Sequence, residues 1–501
     1  MARTSSLGSY RVAFMVGPVA LSVLAADADF SASEQQRVSR LEALLEVQQV
    51  RLEELQARVL AVRVRDQAAA RVEAMKQQIR EVLSAQEFRE SFLTSMLPAG
   101  YEKGFYVRSS DEKFLTKVNG RLQFRWTHYG VQSRNRYLQP RLRKNDLTGF
   151  DVQRLRLKFT GHAFSPDLSY YIQLRTGRGT GYDTVLRDAY VNYRFRDEFQ
   201  FRAGMFKIAG TQQELSSSGE LQFVDRSMTN TVFSFQRGVG VRFWGKLFEQ
   251  RVEYFLDAMN SFSGDRNRTI TNDPAELDGN PALAFRLVWH ALGEKPGKDL
   301  KGEPDLEFRE SPALDIAFHY GFNDDQGDLR TTRIPFPMPR RFRTGGFGLT
   351  TTNGLQINQF GLASAFKWRG FSARGEYILR ILDPRRAGRR PFTPWWLLTR
   401  QGDTTLMHGA YVQAGYFVPI PGLDKKLEAV ARVGGISTLA NGQEGAWEYA
   451  GGLNYYIAGN NVKLQADVTK ITEVPISSSV SSLANVNDRP LIFRVQLQVK
   501  F

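Results

Sequence analysis

Leu491-Ile-Phe-Arg-Val-Gln-Leu-Gln-Val-Lys-Phe501 decides the fold. Leu491, Phe493, Val495, Leu497, Val499 and Phe501 share one face of an extended strand. Arg494, Gln496, Gln498 and Lys500 share the other. A period of two sustained this long, with an aromatic last, is what a lipid-facing strand of a membrane barrel requires. A soluble edge strand could show the pattern once, so recurrence is the test.

The pattern recurs. Leu122, Phe124 and Trp126 oppose Arg121, Gln123 and Arg125, and Leu155, Leu157 and Phe159 oppose Arg154, Arg156 and Lys158. The same alternation runs through 188–195, 251–258, 314–320 and 462–469. Strand starts near 117, 151, 168, 185, 198, 237, 250, 282, 312, 357, 370, 408, 425, 446, 461 and 490 predict sixteen strands. Gaps after odd strands are mostly long and gaps after even strands mostly short, the loop pattern of an outer-membrane barrel. A stretch at 291–311 is the exception, a long turn on the short-turn side. Trp126, Tyr193, Trp289, Trp368, Tyr416 and Trp447 fall at strand ends, where aromatic girdles sit.

The rest of the chain fits this reading. Arg3 and Arg11, then an apolar Val12–Leu24 and the small-x-small Ala26-Asp27-Ala28, read as a secretory signal over residues 1–28. Nothing later is long and apolar enough for a membrane-crossing helix, which leaves a closed barrel as the way to satisfy the backbone in lipid. There is no cysteine, so neither disulfides nor thiolate metal sites contribute.

Residues 29–98 differ in character. Val38, Leu41, Leu45, Leu52, Leu55, Val59 and Val62 occupy a/d heptad positions, with Gln48 as a polar d. After Ala68-Ala-Ala the register slips and continues through Val72, Met75, Ile79 and Val82. The stripe predicts an α-helical coiled coil ending at a hinge near Leu97-Pro98-Ala99-Gly100. The alternative is a single amphipathic helix lying against something else. The expected organisation is signal peptide 1–28, periplasmic coiled coil 29–98, and an all-β transmembrane barrel over 99–501.

The formal charge is +15. Residues 1–28 carry two arginines and one aspartate, and residues 29–98 carry ten Lys/Arg against eleven Asp/Glu. The whole excess therefore lies in 99–501. Such a field draws anions, or binds lipopolysaccharide phosphates at the outer rim. If Leu155, Leu157 and Phe159 face lipid, Arg154, Arg156 and Lys158 line the lumen and Arg121 and Arg125 join them. Like charges this close need water and counter-anions, as in a ladder that passes anions between weak sites. The alternative is that arginine and glutamate pair across the barrel wall.

Three stretches carry a family resemblance: 154–174, beginning Arg-Leu-Arg-Leu-Lys-Phe-Thr-Gly; Asp188-Ala-Tyr-Val-Asn-Tyr-Arg-Phe195; and 204–218, ending Leu-Ser-Ser-Ser, with Asp225-Arg226 after it. Over roughly 117–245 the chain resembles the phosphate-selective porin O/P family. The resemblance implies a trimeric sixteen-stranded porin whose third loop folds inward to form an anion-binding constriction. Arg121, Arg154, Ser217, Ser218 and Arg226 match anion-site positions of that family. Guanidinium forks and hydroxyls suit a tetrahedral oxyanion on chemical grounds as well. Three positions depart: Glu214 stands where the family has a site lysine, Arg187 where it has an aspartate, and Gln153 where it has the first of paired arginines. Phosphate selectivity is therefore not implied.

The expected function is an outer-membrane porin, a water-filled channel for passive diffusion of small anions with phosphate among the candidates, and with Arg121, Arg154, Arg156, Lys158, Ser217, Ser218 and Arg226 at the constriction. The alternative is a structural envelope tether using the coiled coil, with an incidental pore. The five histidines, His128, His162, His290, His319 and His408, lie in no local motif with serine and an acid, so no catalytic residue is expected. Neither a cofactor nor a metal is expected. The expected partners are small inorganic anions, outer-membrane lipid and lipopolysaccharide, and two further copies of the chain, with no nucleic acid.

Overall fold

The computed structural model describes residues 32–84, 99–133, 146–176, 184–260, 262, 280–298, 300, 302–325, 343–344, 348–349, 355–384, 405–423, 425–438, 445–472 and 488–501. The expected signal segment and the Leu97-Pro98 part of the hinge lie outside these residues. The chain divides into two units, Met1–Ser95 and Met96–Phe501.

In the first unit, α1 (Ala32–Ser84) is one uninterrupted helix of 53 residues. At ~1.5 Å per residue it is roughly 80 Å long. Glu, Gln, Ala, Leu and Arg dominate it and neither Gly nor Pro interrupts it, so propensity alone favours the helix. Leu41, Leu45, Leu52, Leu55, Val59 and Met75 are all exposed. The heptad stripe is present and exposed along the helix.

The second unit is a closed antiparallel barrel of sixteen strands, as the periodicity predicts. The first eight are β1 (Leu115–Ser133), β2 (Leu147–Ala163), β3 (Ser165–Thr176), β4 (Val185–Arg196), β5 (Phe199–Lys207), β6 (Arg237–Leu247), β7 (Val252–Met259) and β8 (Ala282–Leu292). The rest are β9 (Ala313–Asp325), β10 (Leu355–Trp368), β11 (Phe371–Pro384), β12 (Thr405–Phe417), β13 (Leu427–Thr438), β14 (Ala446–Ala458), β15 (Val462–Ile471) and β16 (Asp488–Lys500). Each strand pairs with its sequence neighbours, and β16 returns to β1 from Lys500↔Arg121 to Asp488↔Ser133. Closure leaves no unpaired edge among these strands. A small hairpin not expected from the sequence, Ala99–Tyr101 with Phe105–Arg108, adds to β1 over Leu115–Val118.

Residue alternation assigns the two faces. In β16, Leu491, Phe493, Val495 and Leu497 are 36–41% exposed, whereas Arg494, Gln496 and Gln498 are at most 3% exposed. The apolar face is the outer one and the polar face is covered inside the lumen. Tyr193, Trp289, Trp368, Tyr416 and Trp447 are exposed on the outer face, as girdle residues should be.

Short turns connect the even strands to the next odd ones. Arg369 and Gly370, with φ 48° and 80°, form the two-residue turn between β10 and β11, the backbone a I′ hairpin demands. A Cβ on Gly370 would also come within 2.6 Å of the Phe308 ring. That ring belongs to the connection between β8 and β9, the long exception in the loop pattern. It folds inward: Glu303 and Asp305 are buried, and the Glu303 amide donates to the Glu220 carbonyl at 3.0 Å. Asp305 in turn accepts from the Gly370 amide at 2.9 Å, which ties the insertion to the β10–β11 turn.

The apolar core sits inside the lumen near the long-loop end. Val232, Phe233 and Phe235, from the connection after β5, pack with inward-facing Ile357, Ile378, Leu382, Ile436 and Ile492. A polar interior with one apolar collar is where the connection 208–236 finds its footing.

Candidate functional site: the passage beside loop 208–236

The connection between β5 and β6 enters the barrel. It carries two short helices, α2 (Gln212–Leu215) and α3 (Met228–Phe233). Ser227 caps α3 by accepting from the Asn230 amide at 3.0 Å. At the other end the Lys207 ammonium donates to the carbonyls of Glu214, Leu215 and Ser216, at 2.5, 3.1 and 3.0 Å. Those are the carbonyls that the end of a one-turn helix leaves without partners. A half-buried lysine at the edge of the lumen neutralises this helix terminus.

The far wall holds the loop through charged hubs. Asp225 accepts from Arg125 at 2.9 and 3.1 Å, from Arg154 at 3.2 Å and from Arg494 at 3.1 Å. Arg432 reaches the Asp225 carbonyl at 3.1 Å while pairing with Glu448. Gln222 donates to Ser372 at 2.7 Å and to Glu428 at 2.5 Å, and its carbonyl accepts from Asn454 and Gln465. Glu303 of the β8–β9 insertion closes this set, accepting from the Gln222 amide at 2.7 Å and from Gln413 at 2.9 Å. The loop therefore fastens to β1, β2 and β11–β16.

The sequence-predicted residues divide under this geometry. Arg121 donates to the hydroxyls of Ser217 at 3.3 Å and Ser218 at 3.0 Å, so these three are brought together. Arg154 lies on Asp225 and also donates to Gln123 at 3.0 Å. Arg226 donates to the backbone carbonyls of Gln213 at 2.9 Å and Ser216 at 2.9 Å and pairs with Glu214 at 3.2 Å. Arg226 thus shapes the loop. Lys158 stands over the Tyr171 ring at 5.9 Å. Arg156 lines open space and has no hydrogen bond or ion pair among the described residues.

Glu214, which stands where the family has a lysine, sits among guanidiniums. It pairs with Arg226 and, at 3.3 Å, with Arg237, and makes no ion pair with Arg187 among the described residues. Burial alone would push its carboxyl up, but Arg226, Lys207 and Arg237 outweigh that and hold it at about 2. Arg and acid do pair in this barrel, and the acids for β1 and β2 come mainly from the loop.

Open space remains on the other side, along β2–β6. A cavity of about 310 Å³ is lined by five cations, Arg156, Arg202, Lys207, Arg237 and Arg242, against the single acid Asp188, with Ser217 at its edge. A second cavity of about 290 Å³ adjoins it toward the short turns, lined by Asn192, Gln200, Trp244 and Lys246 among others. Asn192 joins the two, accepting from Arg202 at 3.3 Å and from Trp244 at 2.8 Å. Arg237 pairs with Asp188 and Arg242 with Asp257, so the positive surplus of the first cavity rests mainly on Arg156, Arg202 and Lys207, and such a surplus between low-dielectric walls focuses its field on what passes.

Sequence reading overlooked Arg202, Lys207, Arg237 and Arg242. A signal was there for two of them: Arg202 alternates with Phe201 and Ala203, and Arg242 with Val241 and Phe243, as Arg156 does with Leu155 and Leu157.

A closed sixteen-strand barrel with an apolar belt, a polar lumen and an inward loop has the architecture of an outer-membrane channel. Residues 121–277 match the family described as phosphate-selective porin O and P, so the resemblance read from the sequence holds over the stretch containing the loop. No curated protein matches the chain. Similar solved structures include an anion-selective porin from Comamonas acidovorans, at 8% identity, 77% of this chain, 100% of that chain and TM-score 0.49. Others are the outer-membrane channel DcaP of Acinetobacter baumannii, at 11% identity, 79% and 99% coverage and TM-score 0.47, and OmpT of Vibrio cholerae, at 10%, 78% and 98%, and 0.46. At these scores the likeness carries no inference about solute or assembly.

Proposed function

We propose that this protein is a passive outer-membrane channel for small anions. The observation that carries the reading is the lining of the passage beside loop 208–236, five cations against one acid. The net charge of +15, all of it in 99–501, extends that field beyond the passage. The anion meets Arg156 as a donor without a partner among the described residues, while Arg121, Arg154, Ser218 and Arg226 hold the loop that shapes the opening.

Tight phosphate binding is not part of this reading. The cations nearest Ser217 and Ser218 already have partners, and Glu214 engages Arg226 and Arg237. Residues 1–28 act as an export signal, α1 lies in the periplasm, and its exposed heptad stripe assembles three copies, whose basic rims meet lipopolysaccharide. A reversal potential measured across a lipid bilayer in a tenfold KCl gradient tests the reading. Preference for chloride supports it, and preference for potassium removes it.

A further inference from the structure

The open wall carries a belt of stacked side chains that anion conduction does not require. Lys158 of β2 stands over Tyr171 of β3 at 5.9 Å. Tyr171 stacks on Tyr190 of β4 with centroids 5.1 Å apart and planes 2° from parallel. The Arg202 guanidinium of β5 covers the next face of Tyr190 at 4.3 Å and lies 5.5 Å from Trp244 of β6. Trp244 stacks on Phe255 of β7 at 6.0 Å and 8°. Six successive strands thus each give one side chain to a single ribbon. These positions alternate with the lipid-facing ones, so the ribbon lies on the lumen face.

Its location separates it from ordinary core. Tyr171, Tyr190, Trp244 and Phe255 are each only partly buried, and the first two line the cavity that holds Arg156. The corresponding wall of β11–β15 presents polar side chains such as Ser372, Gln413 and Gln465, all bonded to the loop. Tyr411, Phe417 and Tyr456 on that wall are fully covered, so among the described strand residues the lumen-facing rings left partly open are those of β3–β7. Rings stacked face to face around the wall turn their edges toward the lumen, and those edges carry partial positive charge.

We propose that this belt, with Arg156, is a binding site for aromatic carboxylates. The proposal rests on the anion-channel reading and names the solute class for it. The carboxylate takes the planar fork of Arg156, which is buried, without a hydrogen-bond partner among the described residues and suited to bidentate contact. The ligand ring lays its negative face against the edges of Tyr171 and Tyr190, the T-shaped arrangement that aromatic pairs favour. A tetrahedral inorganic oxyanion gains nothing from the rings.

The test compares benzoate with cyclohexanecarboxylate as blockers of chloride current through the reconstituted full-length protein. The two have the same charge and nearly the same size, and only one has a π face. Benzoate should reduce the current at roughly three- to tenfold lower concentration, the range an aromatic pair supplies. Tyr190→Leu, and separately Trp244→Leu, should bring that ratio toward one. Arg156→Gln should weaken both blockers together and leave the ratio standing. Equal block by the two acids in the unaltered protein overturns the proposal, as does a ratio that persists in both leucine variants. Reversal potential is a separate readout, so loss of the anion-channel reading would be told apart from loss of this site.

Discussion

The Asp225 carboxylate, carried on the inward loop, accepts a hydrogen bond from the Arg494 guanidinium of the last strand at 3.1 Å. Two residues 269 positions apart are joined across the lumen, and Arg125 and Arg154 meet the same carboxylate. Barrel closure and loop placement are therefore one event: the strand that seals the barrel also pins the loop. Three guanidiniums around one carboxylate leave a positive surplus, which only a loop anchored in a water-bearing lumen tolerates.

Asp225→Ala should release the loop. It leaves Arg125 and Arg154 with no carboxylate partner among the described residues, and removing one partner of a buried pair costs on the order of 3 kcal/mol. Single-channel recording should show larger and noisier conductance, and the folded barrel should unfold at lower temperature in detergent. Unchanged conductance would place the loop's anchor elsewhere.

Acid should leave the constriction intact well below neutrality. The Glu214 carboxyl is held at about 2, depressed from its ordinary value, so its contribution is full above the unfolded carboxylate range and fades as pH falls through the folded value. Conductance should hold from pH 7 to pH 4 and change only toward pH 2. A transition near pH 5 in a pH series of single-channel recordings would contradict the pairing of Glu214 with Arg226 and Arg237.

Phosphate should block chloride current only weakly in the unaltered protein, because Arg226 is bound to Glu214 and to loop carbonyls. Unit charges ~4 Å apart at an effective dielectric near 20 interact by roughly 4 kcal/mol, so the carboxylate's loss matters. Glu214→Gln removes the carboxylate that Arg226 and Arg237 share, while Arg226 keeps its loop carbonyls and Arg237 its pair with Asp188 at 2.8 Å, and should strengthen the block severalfold. Block by micromolar phosphate in the unaltered protein would show that Glu214 does not set the preference.

The helix α1 should assemble the protein. A stripe including Leu41, Leu45, Leu52, Leu55 and Val59 is exposed along it, and a heptad seam is covered when copies pack knobs into holes. Mass measurement of the detergent-solubilised protein should give a trimer, and removal of residues 33–90 should weaken assembly while the barrel still closes. A monodisperse monomer of the full chain would contradict it.

The sixteen strands were legible because lipid and lumen impose opposite demands on successive residues, so β16 announces its faces residue by residue. The long heptad stripe of α1 was legible for the same reason at another period. The loop's partners were not, since Asp225 meets Arg494 only after closure brings distant strands together. Nor was the inward turn at Glu303 and Asp305: a Gly-Glu-Pro-Asp run reads as an ordinary surface turn, and only Gln222 and Gly370 reveal its destination. Arg156 was legible as lumen-facing, but its lack of a partner among the described residues was visible only once Asp225 had claimed its neighbours.

The reversal potential at low salt tests the central claim most directly. The Debye length falls from ~30 Å at 0.01 M to ~3 Å at 1 M, so a field from the passage lining should select strongly at the first and modestly at the second. Arg156→Gln combined with Arg202→Gln should lower chloride preference at 0.01 M, and should do so more than Arg108→Gln with Lys113→Gln, two exposed cations away from the passage. Preference for potassium at 0.01 M, or an equal effect of the two pairs, would contradict the account.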